Sequence, residues 1–298
     1  MANVQRLLSP ADRPGFIERV GHLWIENPAR LVMFALELLR APVQARNEAR
    51  RTTLLILLRN IARQIGRTLL RSMIPVLTFG AVLGLAIGAV VGGFGDLVRT
   101  FIDTFALRVI YQLVLPILVM IILLARVGSA IAGRLSMYSL AYRARTAAQP
   151  KADIADAAPG TSYMSARELL AEVLPLILAT VITAGISYWL LALWLMAGYM
   201  SDGLPSQILQ VLAPSNWSSF GDFIQAKTLG PVLWAGTWWS LGFGVAIAYV
   251  AAALGTAAGE RISNGSAEPT DYYDAVWESG AMTLLICAVT IALTWKTL

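Results

Sequence analysis

The chain has 298 residues, 57% of them hydrophobic and only 14% charged, where a soluble domain carries about 25% charged residues. A soluble globular fold is thereby excluded as the default, and an all-α polytopic membrane protein is the expectation. The net charge of +5 is small for this length. The basic residues gather near the ends of apolar runs, which points to lipid headgroups as partners and not to nucleic acid.

The first 30 residues mix polar and apolar side chains and include Asp12, Glu18 and Glu26. They do not read as a cleavable signal, so the first spanning helix is expected to act as the targeting signal. Residues 1–72 hold twelve arginines and no lysine. Asn27 followed by Pro28 marks a helix start, a capping side chain before a proline at the first helical position. The apolar run after it, ARLVMFALELLR, is too short to cross about 30 Å of hydrocarbon. From Thr52 to Leu70, Leu54, Leu55, Leu58, Ile61, Ile65 and Leu69 share one side of a helix, and Arg59, Arg63 and Arg67 recur on another. That pattern predicts a helix lying in the interface with its arginines on phosphates; an amphipathic helix packed on protein has the same pattern. Residues 1–72 thus read as basic interfacial helices, and 73–298 as a five-span membrane domain.

The first span is expected over 73–92. Gly80, Gly84, Gly88 and Gly92 form a stripe along it, which lets another helix approach to backbone contact, either in a dimer or within one subunit. Residues 93–108, with Asp96, Arg99, Asp103 and Arg108, are placed outside the membrane or at its far interface. The second span, 109–125, contains Pro116, which should bend it. Eleven of the twelve residues from Leu113 to Leu124 are large and apolar. Its helix is expected to run on past Arg126 and Arg134, among Gly128, Ser129, Ala130, Ala132 and Gly133, into a cytoplasmic connection over 126–167. That connection carries Arg143, Arg145 and Lys151 and the loop-like ADIADAAPGTS. The third span, 173–198, should bend at Pro175 and ends in the interfacial aromatics Tyr188, Trp189, Trp194 and Tyr199. Residues 201–226 read as a polar loop with Pro205, Pro214, Asn216 and Trp217. The fourth span covers 229–254, with Trp234, Trp238 and Trp239. A polar loop over 255–274 follows, with Glu260, Arg261, Glu268 and Asp271, and the fifth span is 275–294. With the N-terminus inside, inner segments hold 19 Lys and Arg and outer segments 4, a strong positive-inside bias that puts the C-terminus outside.

No Walker A pattern, HExxH, paired cysteine or GxSxG occurs in the sequence. Nothing therefore supports nucleotide, metal or nucleophilic chemistry, and no catalytic, cofactor or metal residue is assigned. The lone cysteine, Cys287, excludes an internal disulfide. The only histidine, His22, reads as an interfacial residue. Asn216-Trp-Ser and Asn264-Gly-Ser read as turns. The spans lack a central Asp, Glu or Lys, where ion-coupled transporters place ionisable groups. An apolar or amphiphilic cargo is expected, moved by energy supplied from elsewhere.

The stretch QIGRTLLRSMIPVLTFGAVLGLAIG (64–88) resembles the opening of the MlaE-type permeases, the membrane subunits of ABC lipid transporters that work with MCE-domain proteins. The similarity continues through Pro116 and ILLARVGSAIAGRLSM (122–137), returns at AKTLG (226–230), and ends near DAVWESG (274–280). The sequence departs from the family pattern at Arg134, where the family has the Glu of a Glu-Leu pair, and lacks one residue before Met137. MYSLAYRARTAA (137–148) has no clear copy of the family's Glu-Gln-x-x-Ala-Leu segment, for which SARELLAEV (165–173) is a displaced substitute. The glycine-rich segment after the fourth span is reduced to LGTAAGERISNG. The resemblance implies a dimeric permease in a bacterial inner membrane, N-terminus cytoplasmic and C-terminus periplasmic. It implies a second permease copy or paralogue, an ABC ATPase subunit carrying the ATP, an MCE-domain periplasmic partner, and phospholipid or another hydrophobic cargo. It puts ATPase coupling at Arg126, Arg134, Met137, Arg143 and Arg145; Arg126 and Arg134 suit headgroup anchoring as well. A non-transporting membrane scaffold and a membrane-embedded lipid enzyme are the other classes open to the sequence.

Overall fold

A computed structural model describes residues 27–48, 54–93, 100–137, 169–201, 204–263 and 270–294. Every element among them is helical, and the fold is that of an all-α polytopic membrane protein. Helix α1 is Asn27–Glu48 and α2 is Leu54–Gly93. Helix α3 spans 100–137 and is interrupted by π-helical turns at Ile102–Ala106, Ile110–Val114 and Leu124–Gly128. Helix α4, Leu174–Met200, opens on a π turn at Leu169–Val173. Two short helices follow, α5 (Pro205–Val211) and α6 (Trp217–Ala226), then α7 (Gly230–Ser263) and α8 (Thr270–Thr294).

Among the described residues, four stretches are long and apolar enough to cross a membrane: Leu58–Gly93, Leu107–Met137, Leu170–Met200 and Gly230–Thr256. The expected fifth span is shorter in its apolar part, Gly280–Ala292, which at 1.5 Å per residue covers about 20 Å. The cause is in the sequence: the first turns of α8 carry Asp271, Asp274 and Glu278.

Two expectations are corrected. The interfacial helix over 52–70 and the span from 73 are one continuous helix of 40 residues, about 60 Å long, so the expected boundary at 72/73 falls inside α2. Neither Gly66, which costs a helix about 1 kcal/mol, nor Pro75, which removes one ladder bond, ends the helix. In the segment placed outside the membrane or at its far interface, residues 100–108 are helical. The expected polar loop over 201–226 holds α5 and α6, because Pro205 and Pro214 sit in first turns, where a missing N–H does no harm. The two span prolines also sit differently from a simple bend. Pro116 and Pro175 each follow a π turn directly, which lets the hydrogen-bond ladder step past the absent donor.

The chain divides into two compact units, 61–127 with 177–247, and 1–60 with 128–176 and 248–298. In the first, α2 buries a single line of residues, Gln64, Thr68, Ser72, Val76, Gly80, Gly84 and Gly88, four apart and so on one face. The polar members are satisfied on their own helix: Thr68 Oγ1 donates to the Gln64 carbonyl at 2.6 Å and Ser72 Oγ to that of Thr68 at 3.1 Å. In the second, α1 is pinned to α7. The Tyr249 hydroxyl donates to the Leu31 carbonyl, and the Phe34 and Tyr249 rings lie 5.7 Å apart. Leu31, Leu285 and Ile286 close over a core of Val250, Leu254 and Met282.

Candidate functional site

Two polar constellations stand out, one in each unit. In the unit that contains 128–176, Arg134 closes the long run of α3 and reaches Glu172, in the π turn that opens α4, with Nη2 to Oε2 at 2.7 Å. Both side chains are about a quarter exposed, so the pair is neither a loose surface contact nor sealed from water. Beside it the backbones of α3 and α7 touch: a Cβ on Gly255 would lie 2.6 Å from the Ala132 carbonyl oxygen. Of the expected coupling residues, Arg126 and Met137 are exposed, Arg134 is engaged with Glu172, and Arg143 and Arg145 lie outside the described residues. Glu172 belongs to SARELLAEV, the segment flagged in the sequence as a displaced coupling element. Its pairing with a residue 38 positions earlier has no local signature.

The second constellation joins three helix ends. Asp103, in the first π turn of α3, accepts from Lys227 Nζ at 2.5 Å and from the hydroxyl of Tyr199, next to last in α4. The Lys227 ammonium also lies over the Tyr199 ring, 5.7 Å from its centroid, and Phe223 of α6 packs on that ring at 5.3 Å. The hydrogen bond to Asp103 raises the Lys227 pKa above its ordinary value, and partial burial opposes this. The sequence puts Asp103 and Lys227 in outer segments, on one side of the membrane. That shared side is its only hint of a contact between residues 124 apart.

The glycine stripe resolves into different roles. A Cβ on Gly80 would meet the Trp194 ring at 2.9 Å, and one on Gly84 the Trp194 carbonyl oxygen at 2.6 Å. Gly198 is the counterpart on α4, where a Cβ would come within 2.0 Å of the Gly84 carbonyl oxygen. Gly80 and Gly84 therefore serve a helix crossing within the subunit. Gly88 is buried on the same line; a spacing of four drifts by about 40° per step, and at the next step the buried residue is Val91 while Gly92 is exposed. Arg59, Arg63 and Arg67 are exposed along α2, and Arg71 extends their row by a turn. A further close contact lies at Gly236, where the Tyr188 hydroxyl donates to the Tyr111 carbonyl at 2.9 Å. No group of three metal-ligating side chains occurs among the described residues. No protein-family profile matches the chain, and neither does any curated protein or solved structure.

Proposed function

We propose that the chain is the permease subunit of an ABC-type transporter, moving phospholipid or another hydrophobic molecule between a bacterial inner membrane and the envelope. A separate ATPase carries the nucleotide, an MCE-domain protein receives or delivers the cargo, and a second copy or paralogue completes the membrane part. The reading rests on the sequence resemblance and on the absence from the sequence of a nucleotide site of its own. The observation that carries it is the Arg134–Glu172 pair. These residues flank the connection 138–168, the segment a cytoplasmic motor would grip. An ion pair across its two ends makes the second and third spans answer together to a push on that connection. Arg134 is thereby assigned to the clamp, and partner contact passes to Arg126, Met137, Arg143 and Arg145. Arg59, Arg63 and Arg67 anchor α2 to anionic headgroups.

The test is extraction in mild detergent. An ATPase should co-purify with the wild-type chain and show lipid-stimulated hydrolysis. Arg134→Glu sets two carboxylates against each other, and stimulation should fall at least tenfold; Arg134→Glu with Glu172→Arg should restore it. Absence of any co-purifying ATPase would leave the scaffold reading in its place.

A further inference from the structure

We propose that Asp103, Tyr199 and Lys227 form a breakable polar lock over three helix ends, and that Thr228 stores the backbone strain released when the lock opens. The three side chains come from the start of α3, the end of α4 and the link between α6 and α7, so their contacts are what tie these ends together by polar means. Lys227 and Asp103 are 29% and 22% exposed. Water can reach the pair, so it can break without leaving a charge in hydrocarbon.

The backbone beside it is strained. Helix α6 ends with Leu229 N donating to the Ile224 carbonyl at 2.9 Å and Thr228 N to that of Gln225 at 3.1 Å, a Schellman cap. The residue in the left-handed position of that cap is usually glycine. Here it is Thr228, at φ 51°, the one non-glycine residue with positive φ among those described, and β-branched residues are outliers in that region. Such strain persists only where the surroundings over-determine it. Here the neighbours on both sides are fixed: the Lys227 side chain is held by Asp103, and Leu229 is fully buried.

Two more features fit a joint that moves. Asp103 sits in a π turn, a part of a helix that often marks functional sites. The buried Tyr111 hydroxyl has no hydrogen-bond partner among the described residues, a donor available to the rearranged state. The lock does not depend on the transport reading, because opening is measurable whether or not lipid moves.

The test uses a single thiol at Ser201, which is 1% exposed and follows α4 directly. Ser201→Cys is placed in a Cys287→Ser chain in native membrane vesicles and labelled with a membrane-impermeant maleimide. The parent should label slowly. Asp103→Asn and Lys227→Met should each raise the rate at least tenfold, and Asp103→Lys with Lys227→Asp should bring it back. Unchanged rates in the single variants, or a swapped chain as fast as they are, would overturn the lock. If the charge variants do not fold, Thr228→Gly decides the matter. With the strain removed the lock should hold longer and labelling should slow; an unchanged or faster rate refutes the proposal.

Discussion

The crossing of α2 and α4 permits the sharpest quantitative test. At Gly198 a single methyl would sit 2.0 Å from the Gly84 carbonyl oxygen, whereas ordinary contact begins at 3.4 Å. Gly198→Ala therefore requires the two helices to part by roughly 1.4 Å at this point. The obstruction is backbone, so no rotamer change relieves it. A gap of even 0.5–1 Å forfeits about a quarter to a half of each dispersion contact, and close-packed neighbours relax only in part. Overpacking of this kind sits near the upper end of the usual range, about 3 kcal/mol. Alanine returns about 1 kcal/mol through its better helix propensity, leaving a net loss of about 2 kcal/mol, roughly thirtyfold in the folded-to-unfolded ratio. The assay is thermal unfolding in mild detergent, followed by the fluorescence of the nine tryptophans. Gly93→Ala is the control, since a Cβ there meets nothing within 4 Å, and it should be neutral or slightly stabilising. Equal melting of Gly198→Ala and Gly93→Ala would refute the backbone-contact argument. A change in oligomer size with unchanged melting would move the stripe to a contact between subunits.

Thr228→Gly should raise stability by about 1 kcal/mol, the usual cost of a left-handed side chain, read as a higher melting temperature. The raised Lys227 pKa contributes stability that is complete below the lysine's ordinary 10.5 and is lost as pH climbs through the higher folded value. Melting should thus be insensitive to Lys227 from pH 7 to about 10 and fall more steeply above 10.5 in the wild type than in Lys227→Met. For topology, thiols at Asp153→Cys and Ser206→Cys in a Cys287-free chain should differ: an impermeant reagent outside should reach 206 and not 153, and the reverse pattern would invert the orientation.

Much of the fold is legible in the sequence because membrane helices announce themselves by length and apolarity. The helix expected after Asn27-Pro28 is present as α1. The third span, expected at 173–198, lies within the observed Leu170–Met200, and the fourth, expected at 229–254, starts one residue before the observed Gly230–Ser263. What fails is punctuation. Nothing between the arginine-rich run and the first span breaks a helix, yet the change in composition suggests a joint. Pro205 and Pro214 look like loop residues but start helices. The glycine stripe is visible on α2 because it repeats, whereas its counterpart Gly198 is a single glycine among large side chains, with no period to reveal it. The two charged constellations escape for a similar reason. A lone Asp103, Glu172 or Lys227 has no local pattern, and only the topology brings its partner within reach.

The polar side chains of the spans divide into two kinds, and the division bears on where motion is possible. Thr68, Thr183 and Thr237 each donate to a carbonyl four residues back. Such hydroxyls are spent within their own helix and say nothing to a neighbour. Among the described residues, three polar contacts that cross between helices fall on irregular backbone. Tyr188 finds a carbonyl in the π turn Ile110–Val114, Asp103 lies in Ile102–Ala106, and Glu172 lies in Leu169–Val173. A π turn disturbs the regular i to i+4 ladder, so it can leave a carbonyl open to an outside donor and turn a side chain out of its helical register. The bond from Tyr249 to Leu31 ends instead on the regular helix α1. The same local feature therefore supplies both the cross-helix polar contact and a place where the helix changes register at low cost. Under the proposed permease reading, in which motion passes from the connection 138–168 into the spans, the two are needed together, and α3 carries three such turns between 102 and 128.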